Sequence, residues 1–264
     1  MQTTITPNTR DFLIPGDEYL AQQPDFKLVG RDAELKKLSG ILMRKNAHNV
    51  LVVGAGGVGC SAICLGLQEQ KNSDGAPLDI VGKKIFWLDT DGLFASGDHA
   101  TINESFQKLM RTLSRTGSRD TVLIIEDARV FIDAARNNGC SHFINSIMRE
   151  VKSGRFQAIF ETRDEDLEVI LKSHPDMNET FTMMDVQEPH DNVLKDIVAD
   201  VSQGLESHHG IDVSEEAIET AIELTNKYRV RDMSLSRAQP ERALNLIDRA
   251  LTCIGSQHIL IRRI

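Results

Sequence analysis

Two short stretches of the sequence have residue types and spacing that suit chemistry on an anion and a metal ion. From Val50 to Ser61 an apolar run ends in glycines, VLVVGAGGVGCS. Glycines permit positive φ and close approach of the backbone to a ligand, and such a loop points backbone N–H groups at a phosphate-sized anion. A second apolar run ends in Glu126 and Asp127, and paired carboxylates can hold a magnesium ion and orient a water molecule. The two stretches together predict a magnesium nucleotide site.

Two motifs compete for the glycines. Gly54, Gly59 and Ser61 fit the triphosphate-binding loop G-x-x-x-x-G-K-[ST], but Cys60 stands where that motif has lysine. Gly54, Gly56 and Gly59 equally fit the dinucleotide fingerprint G-x-G-x-x-G. A tight strand-to-helix turn that binds nothing is a third interpretation, so the remainder of the chain has to decide between them.

The composition excludes several classes of protein. The 264 residues carry a formal net charge of −9 and no lysine/arginine cluster, so the sequence lacks the basic face that nucleic-acid backbones require. No apolar stretch approaches the roughly 20 residues of a membrane helix, and the N-terminus lacks the features of a signal peptide. The four cysteines include no C-x-x-C pair, which argues against a zinc knuckle. We therefore expect a cytoplasmic protein that neither binds nucleic acid nor inserts into a membrane.

Apolar runs and amphipathic stretches alternate along the chain. Strands are predicted at 50–53, 84–89, 121–127, 156–162 and 182–186, and helices after Ser61 and at 103–115 and 141–152. Strands that alternate with helices imply an α/β fold with a parallel sheet covered on both faces. After Pro189 only amphipathic helices are predicted, at 190–207, 214–228 and 239–254. A small all-α domain therefore follows the α/β domain.

These segments resemble, in order and spacing, the first ATPase module of Clp-type chaperone-unfoldases, which belong to the AAA+ class. The similarity extends from Phe26 to Cys253 and is carried by Val29 to Asp32, Asn49 to Gly54, Gly57 to Gly59, Leu88-Asp89, Leu123 to Asp127, Thr162 and Arg242 to Asp248. It implies an AAA+ P-loop domain with a parallel sheet sandwiched by helices, followed by a helical lid. We accordingly divide the chain into an arm or linker at 1–24, the nucleotide-binding domain at 25–188, the lid at 189–255 and a tail at 256–264.

The same resemblance assigns roles to individual residues. It implies a site for ATP or ADP with Mg²⁺, in which the following residues bind the nucleotide: Val29, Gly30, Gly54, Ala55, Gly56, Gly57, Val58, Gly59, Cys60, Ser61, Ala62, Pro240 and Arg242. Ser61, Glu126 and Asp127 are expected to hold the metal ion. Glu126 and Asp127 are also the expected catalytic residues, together with Thr162, which matches the sensor of the γ-phosphate.

The sequence departs from the family where the chemistry is done. Cys60 replaces the lysine that contacts the β and γ phosphates, and losing such a charged hydrogen bond costs about 1.5–3 kcal/mol, or roughly ten- to a hundredfold in affinity. The family's Asp-Glu order is inverted in Glu126-Asp127. Glu179 and Thr180 stand where the family has arginines that complete the neighbouring subunit's site, and such an arginine is worth about 10³–10⁵ in rate.

Two further polar segments are predicted to do no chemistry. The segment 96–101 corresponds to the family's substrate-gripping pore loop but has no aromatic residue, and its His99 is expected to be a solvated loop residue. The acidic cluster from Glu161 to Glu168 is predicted to be the solvated start of a helix, because no His or Cys accompanies it to suggest a metal site. A threading unfoldase is therefore a poor interpretation of this chain.

Three functions remain in competition. The first is a degenerate pseudo-ATPase, an AAA+ module that binds ATP weakly, hydrolyses it slowly or not at all, and serves as an assembly or regulatory subunit of a larger protein machine. The second is an active, divergent ATPase that remodels proteins in a secretion or conjugation apparatus, with Arg31, Arg163 or Arg242 in place of the lysine. In both, the partners are other protein subunits in a homo- or hetero-oligomer.

The third is a dinucleotide-binding or adenylating enzyme. The glycine loop by itself resembles that of the ubiquitin-activating type of adenylating enzyme. Against it, Asp89 is the first acidic residue at a following strand end, and it lies much farther beyond Gly54 than the about 20 residues that a dinucleotide fold has.

Overall fold

A computed structural model describes residues 12–74, 76–115, 120–228 and 238–261. Residues 1–11 of the predicted arm and 262–264 of the predicted tail lie outside the described residues. Within these described ranges, no helix has both the length and the apolar character needed to cross a membrane.

The α/β part is built on a six-stranded sheet. Its strands, numbered along the chain, are β1 Leu13–Pro15, β2 Val50–Gly54, β3 Lys84–Leu88, β4 Thr121–Ile125, β5 Gln157–Arg163 and β6 Thr182–Val186, and their spatial order is β1-β3-β4-β5-β2-β6. β3 pairs in parallel with β4 and β4 with β5, whereas β1 is antiparallel to β3. The predicted α/β fold with a mostly parallel sheet is thus confirmed.

The buried strands explain why the apolar runs are continuous. β2 and β4 are buried along their whole length, and β5 is buried except at Arg163. A parallel strand in the middle of such a sheet is covered on both faces, so it cannot alternate apolar and polar residues. Polar side chains are then expected where these strands end, which is where Glu126 and Thr162 lie in the sequence.

Helices occupy most of the connections. They are α1 Gly16–Ala21, α2 Asp32–Leu42, α3 Cys60–Asn72, α4 Leu78–Val81, α5 Thr90–Phe94, α6 His99–Arg115, α7 Ala128–Asn137, α8 His142–Lys152, α9 Asp164–Ser173, α10 Asp176–Thr180, α11 Asp191–His209, α12 Glu215–Lys227 and α13 Glu241–Ile261. Local sequence fixes several ends: the Ser214 hydroxyl accepts a hydrogen bond from the Ala217 amide at the start of α12, and Gly210 takes a left-handed conformation after α11.

The chain forms two compact units. The first comprises Met1–Phe26, Ala33–Val53 and Ser61–Asp185, and the second comprises Lys27–Asp32, Gly54–Cys60 and Val186–Ile264. The core of the first unit is rich in aromatic side chains, among which the rings of Phe106 and Phe143 are stacked with centroids 3.7 Å apart. In the second unit α11, α12 and α13 contribute buried apolar residues to one cluster, among them Val198, Ala221 and Ala243.

The structure differs from the sequence-based prediction in several segments, including the following three. Residues 13–21, predicted as part of an arm, form β1 and α1 within the first unit. α7 was not predicted, because Val130 and its neighbours follow the carboxylates with no separating turn. α6 begins at His99, so this residue lies in the first turn of a helix and not in the expected loop. The amide of Asn103 lies 3.0 Å from His99 Nε2.

Candidate functional site

The glycine loop of the second unit has the conformation that its sequence predicts. Gly57 and Gly59 have φ of 87° and 102°, values that side-chain-bearing residues rarely adopt. Between them, the amide of Val58 donates a 3.1 Å hydrogen bond to the carbonyl oxygen of Ala55, which closes a tight turn. Cys60 then begins α3. The loop therefore precedes a helix N-terminus, where backbone N–H groups lack intrahelical partners and can bind an anion.

Close packing inside the loop requires glycine at position 54. A Cβ placed on Gly54 would lie 2.6 Å from Val58 Cγ1 and 3.0 Å from the sulfur of Cys60. The Cys60 side chain therefore lies beside the backbone of Gly54. A thiol in this position carries no positive charge to place against a phosphate.

Arg31 holds the glycine loop from within the second unit. Its guanidinium donates hydrogen bonds to the carbonyl oxygens of Val58 at 2.7 Å and Gln187 at 3.0 Å, and the side chain is 5% exposed. Arg31, one of the three candidates to replace the missing lysine, is thus held by two backbone acceptors. Its role in the described structure is to stiffen the loop.

Val29 and Gly30, predicted to cradle adenine, also lie in the second unit. Val29 is half-buried, and Gly30 has a φ of 67°. A Cβ on Gly30 would lie 2.7 Å from Val193 Cγ1 and 3.3 Å from Ile197 Cγ1, both on α11. Only glycine permits this approach of the segment to the helix.

The predicted lid residues lie at the start of α13. Pro240 is half-buried, and the amide of the next residue, Glu241, is 3.4 Å from the carbonyl oxygen of Gly57. Arg242 is buried; its guanidinium donates to Asn226 Oδ1 at 2.9 Å and lies 3.7 Å from a carboxylate oxygen of Glu188. This second candidate for the missing positive charge is therefore engaged inside the helical unit.

Glu126 in the first unit is held by two aromatic side chains. The Tyr19 hydroxyl lies 2.8 Å and 3.0 Å from its two carboxylate oxygens, and the Trp87 indole N–H donates to Oε1 at 3.1 Å. The rings of Tyr19 and Trp87 are stacked, with centroids 4.6 Å apart. Burial and the neighbouring Glu126 carboxylate raise the pKa of Tyr19 above its ordinary value, so the hydroxyl stays a donor. Neither aromatic residue is predicted from the sequence as part of the site.

Asp127 has a structural task of its own. It has a left-handed backbone, with a φ of 48°, and its side chain accepts a 3.1 Å hydrogen bond from the amide of Val130 at the start of α7. Arg163, which is 56% exposed, lies 3.8 Å from the other carboxylate oxygen. Thr162 is buried next to Arg163 at the end of β5. Of the arginines proposed to replace the lysine, Arg163 is thus the one beside a predicted catalytic carboxylate.

Glu161 is the largest departure from the sequence-based interpretation. It was predicted to be solvated, but it is 4% exposed, because β5 continues through Arg163 and the solvated helix α9 begins only at Asp164. The hydroxyl of Ser61 donates a 2.7 Å hydrogen bond to Glu161 Oε2. Desolvation by burial raises the pKa of Glu161 to about 7; the Ser61 hydrogen bond opposes this increase, and the charge of Glu126 adds to it.

A signal for Glu161 was present in the sequence. It follows the apolar residues of β5 just as Glu126 follows those of β4, and the two strands are parallel neighbours. The carboxyl ends of parallel neighbours lie at the same edge of a sheet, so both carboxylates belong to that edge. Ser61, exposed, and Ala62, half-buried, are in the first turn of α3.

The residues present suit a nucleotide and a magnesium ion in part. The loop supplies backbone N–H groups and positive φ, as phosphate binding requires. Ser61 and the carboxylates supply oxygen, the ligand that Mg²⁺ prefers. Among the described residues, no three His, Cys, Asp or Glu side chains are grouped closely enough to hold a metal ion. Any bound ion therefore needs ligands beyond the carboxylates.

Glu179 and Thr180, which stand at the positions of the family's arginines, lie at the end of α10. Glu179 is exposed and Thr180 is buried.

The chain is similar to several known proteins. An AAA lid domain model matches residues 191–258. Chaperone protein ClpC of Pisum sativum chloroplasts is 28% identical over 233 residues, covering 88% of this chain and 24% of that protein. Chaperone protein ClpB of Tropheryma whipplei is 28% identical over 232 residues, covering 86% of this chain and 32% of that protein. A solved structure of Hsp104 with ATPyS and FITC casein superposes with a TM-score of 0.81, at 23% identity over 94% of this chain and 42% of that one.

The chain is similar to Clp-type AAA+ modules along most of its length, and its fold is that of an AAA+ module. The lid match covers α11, α12 and most of α13, which are the three helices predicted after Pro189. The resemblance read from the sequence is thereby confirmed, as is the AAA+ fold. The module spans between 24% and 32% of the length of the two relatives.

Proposed function

We propose that this module binds adenine nucleotide weakly, hydrolyses it slowly or not at all, and serves as an assembly or regulatory subunit of a larger protein machine. The observation that carries the proposal is the state of the carboxylates in the first unit. Glu126 accepts hydrogen bonds from the Tyr19 hydroxyl and the Trp87 indole, and Asp127 caps α7. Both have structural tasks in the fold, whereas a catalytic carboxylate has to be available to metal or water.

Nucleotide binding is supported by the glycine loop. Its phosphate-binding groups are backbone amides, which do not depend on side-chain identity, and the positive φ of Gly57 and Gly59 is retained. Cys60 removes one charged contact, which lowers affinity by roughly ten- to a hundredfold without removing the loop. The similarity to Hsp104, solved in a complex with ATPyS, supports this part of the proposal.

The proposed role as a subunit is supported by the absence of two features that ATP-driven threading of a polypeptide requires. The residues that correspond to the arginines of a neighbouring site are Glu179 and Thr180, and the segment 96–101 has no aromatic residue for gripping polypeptide. Hydrolysis driven by assembly and coupled to threading would need both. We expect partners to be protein subunits and the setting to be cytoplasmic.

A divergent active ATPase is the second candidate, favoured by the position of Arg163. This arginine is mostly exposed and lies 3.8 Å from Asp127, so a positive charge is present beside one predicted catalytic carboxylate. In that case the module remodels proteins, with a secretion or conjugation apparatus as the proposed setting. Arg163→Ala then abolishes turnover, whereas the leading proposal expects little turnover to lose.

Calorimetric titration with ATP and ADP in magnesium buffer tests the leading proposal. We expect weak binding by the wild type and tighter binding by Cys60→Lys. Cys60→Ser is the matched control, because it changes the side chain without adding charge. If neither the wild type nor Cys60→Lys binds nucleotide, the proposed function is wrong and the fold serves only as a scaffold.

A further inference from the structure

The segment formed by β1 and α1 has two parts that the fold holds in different ways. β1 pairs with β3 over its three residues, the amide of Asp89 donates a 3.0 Å hydrogen bond to the carbonyl oxygen of Phe12, and Phe12 and Leu13 are buried. In α1, which follows directly, Gly16 is buried and the other residues are half-buried or exposed. β1 is therefore anchored in the core of the first unit, whereas α1 lies on its surface.

α1 depends on contacts with other elements for its position. A helix of six residues is too short to be stable alone, and its N-cap residue, Pro15, supplies no side-chain hydrogen bond. The carboxylate of Asp17 holds α1 to α3, since it accepts hydrogen bonds from Gln68 Nε2 at 2.8 Å and from Asn72 Nδ2 at 2.9 Å. Polar contacts of this kind can be exchanged for water at small net cost, so α1 can leave α3 while β1 stays paired.

Tyr19 is the residue through which α1 reaches the carboxyl edge. Its ring lies nearly parallel to the Trp87 indole, at an angle of 6°, and its hydroxyl lies within hydrogen-bond distance of both carboxylate oxygens of Glu126. It thus covers one face of Trp87 and one side of Glu126 together. Departure of α1 would release Glu126 Oε2, while Oε1 would keep the indole donor.

We propose that α1 is an inhibitory strap, which β1 anchors and which swings away about Pro15 to make Glu126 available. The inference rests on the proposed nucleotide function, because Glu126 is a predicted catalytic carboxylate, and it names how that site is regulated. The engaged carboxylate is then one state of a segment that opens locally. An α1 with a purely structural role would instead open only when the whole first unit unfolds.

Hydrogen exchange of backbone amides in the full chain, followed by mass spectrometry, tests the strap, because the exchange rate of a segment increases with its opening equilibrium constant. We expect α1 to exchange faster than β4. Asp17→Ala should accelerate exchange in α1 by roughly tenfold, since it removes two hydrogen bonds to a charged group, and should leave β1 within about twofold of the wild type.

Glu18→Ala is the matched control for Asp17→Ala. It removes the carboxylate of the next residue, which is exposed in the same turn of α1, and it should leave the exchange of α1 within about twofold of the wild type. The strap is overturned if α1 exchanges as slowly as β4, or if Asp17→Ala accelerates exchange in α1 no more than Glu18→Ala does.

ATP turnover tests whether the strap inhibits. The measurement uses Cys60→Lys as the background, so that weak nucleotide binding does not limit turnover. Adding Asp17→Ala should raise turnover by roughly tenfold, the factor by which it shifts the opening equilibrium, and adding Glu126→Gln as well should remove this gain. Faster exchange in α1 with unchanged turnover overturns the inhibitory role.

ATP titrations separate the failure of this inference from the failure of the proposed function. If α1 opens locally in Asp17→Ala but neither the wild type nor Cys60→Lys binds ATP, the nucleotide function is wrong and the strap over Glu126 stands. If ATP binds while α1 exchanges as slowly as β4, the nucleotide function stands and the strap is wrong.

Discussion

The glycine loop of the second unit and the carboxyl edge of the sheet in the first unit differ in how their sequences have changed. The loop keeps its backbone, with positive φ at Gly57 and Gly59, while the lysine of its motif is replaced by Cys60. At the carboxyl edge the acidic side chains remain, but Tyr19 and Trp87 hold Glu126. We therefore expect anion binding by backbone groups to survive a side-chain change, and catalysis by side chains to be lost once other residues engage them.

The two regions should also differ in what they contribute to folding. Trp87 is 1% exposed, and its indole both stacks on Tyr19 and donates to Glu126, so the carboxyl edge is part of the packed structure. Cys60 is half-buried at the start of α3, directly after the glycine loop. Substitutions at the edge are therefore expected to change stability, and substitutions in the loop to change ligand affinity.

The largest expected effect is on folding. Trp87→Ala should lower the free energy of unfolding by about 3–5 kcal/mol, because it leaves a cavity and removes a donor from a carboxylate. Urea unfolding followed by circular dichroism measures this change. Met43→Ala, at an exposed apolar position of the first unit, should change it by less than about 0.5 kcal/mol. A loss under about 1 kcal/mol for Trp87→Ala would contradict a structural role of the edge.

The next effect is a pH dependence carried by Glu161. Because the pKa of this carboxyl is raised to about 7 in the folded chain, the folded state binds the proton more tightly than the unfolded state does. Its contribution to stability is complete below the unfolded pKa and is lost as pH rises through about 7. Relative to Glu161→Gln, the wild type should lose about 3 kcal/mol between pH 4.5 and pH 8.

Unfolding midpoints in urea, measured in EDTA across this pH range, check that dependence. Glu165→Gln serves as the control, because Glu165 lies in the solvated first turn of α9 and should follow the wild-type curve. Parallel pH profiles for the wild type and Glu161→Gln would show that Glu161 titrates normally.

A third prediction concerns the loop. Cys60→Lys should tighten ATP binding by roughly ten- to a hundredfold, or about 1.5–3 kcal/mol, because it restores a charged hydrogen bond to phosphate. Its unfolding free energy should stay within about 0.5 kcal/mol of the wild type, in contrast to Trp87→Ala. Calorimetry and urea unfolding measure the two quantities. If Cys60→Lys destabilises the fold and does not tighten ATP binding, the loop and the carboxyl edge do not differ in the way proposed.

The smallest effect is expected from the tyrosine hydroxyl. Tyr19→Phe keeps the ring stacked on Trp87 and removes only the hydrogen bond to Glu126, so the unfolding free energy should fall by about 1.5 kcal/mol. Tyr19→Phe also frees one side of the Glu126 carboxylate. If ATP turnover rises in this variant, the tyrosine restrains catalysis; an unfolding free energy equal to that of the wild type would show that the hydrogen bond adds nothing.

The sequence predicted the sheet and the lid because their signals are local. Apolar runs that end in polar residues marked β2, β4 and β5, and apolar periodicity marked α11 to α13. Glu161 was misjudged because a run of acidic residues looks like a helix start, and only the length of β5 shows that its first member is still inside the sheet. The contact of Tyr19 with Glu126 joins residues far apart in the chain, so no local pattern predicts it.

Steady-state phosphate release at saturating ATP and Mg²⁺, measured on the wild-type chain beside Asp127→Ala, tests directly whether the module hydrolyses ATP. We expect turnover near background in the wild type and no further loss in Asp127→Ala, since Asp127 caps α7 and the carboxyl edge is engaged by the fold. Robust Mg²⁺-dependent turnover that Asp127→Ala abolishes would contradict it, and the module would then be an active ATPase.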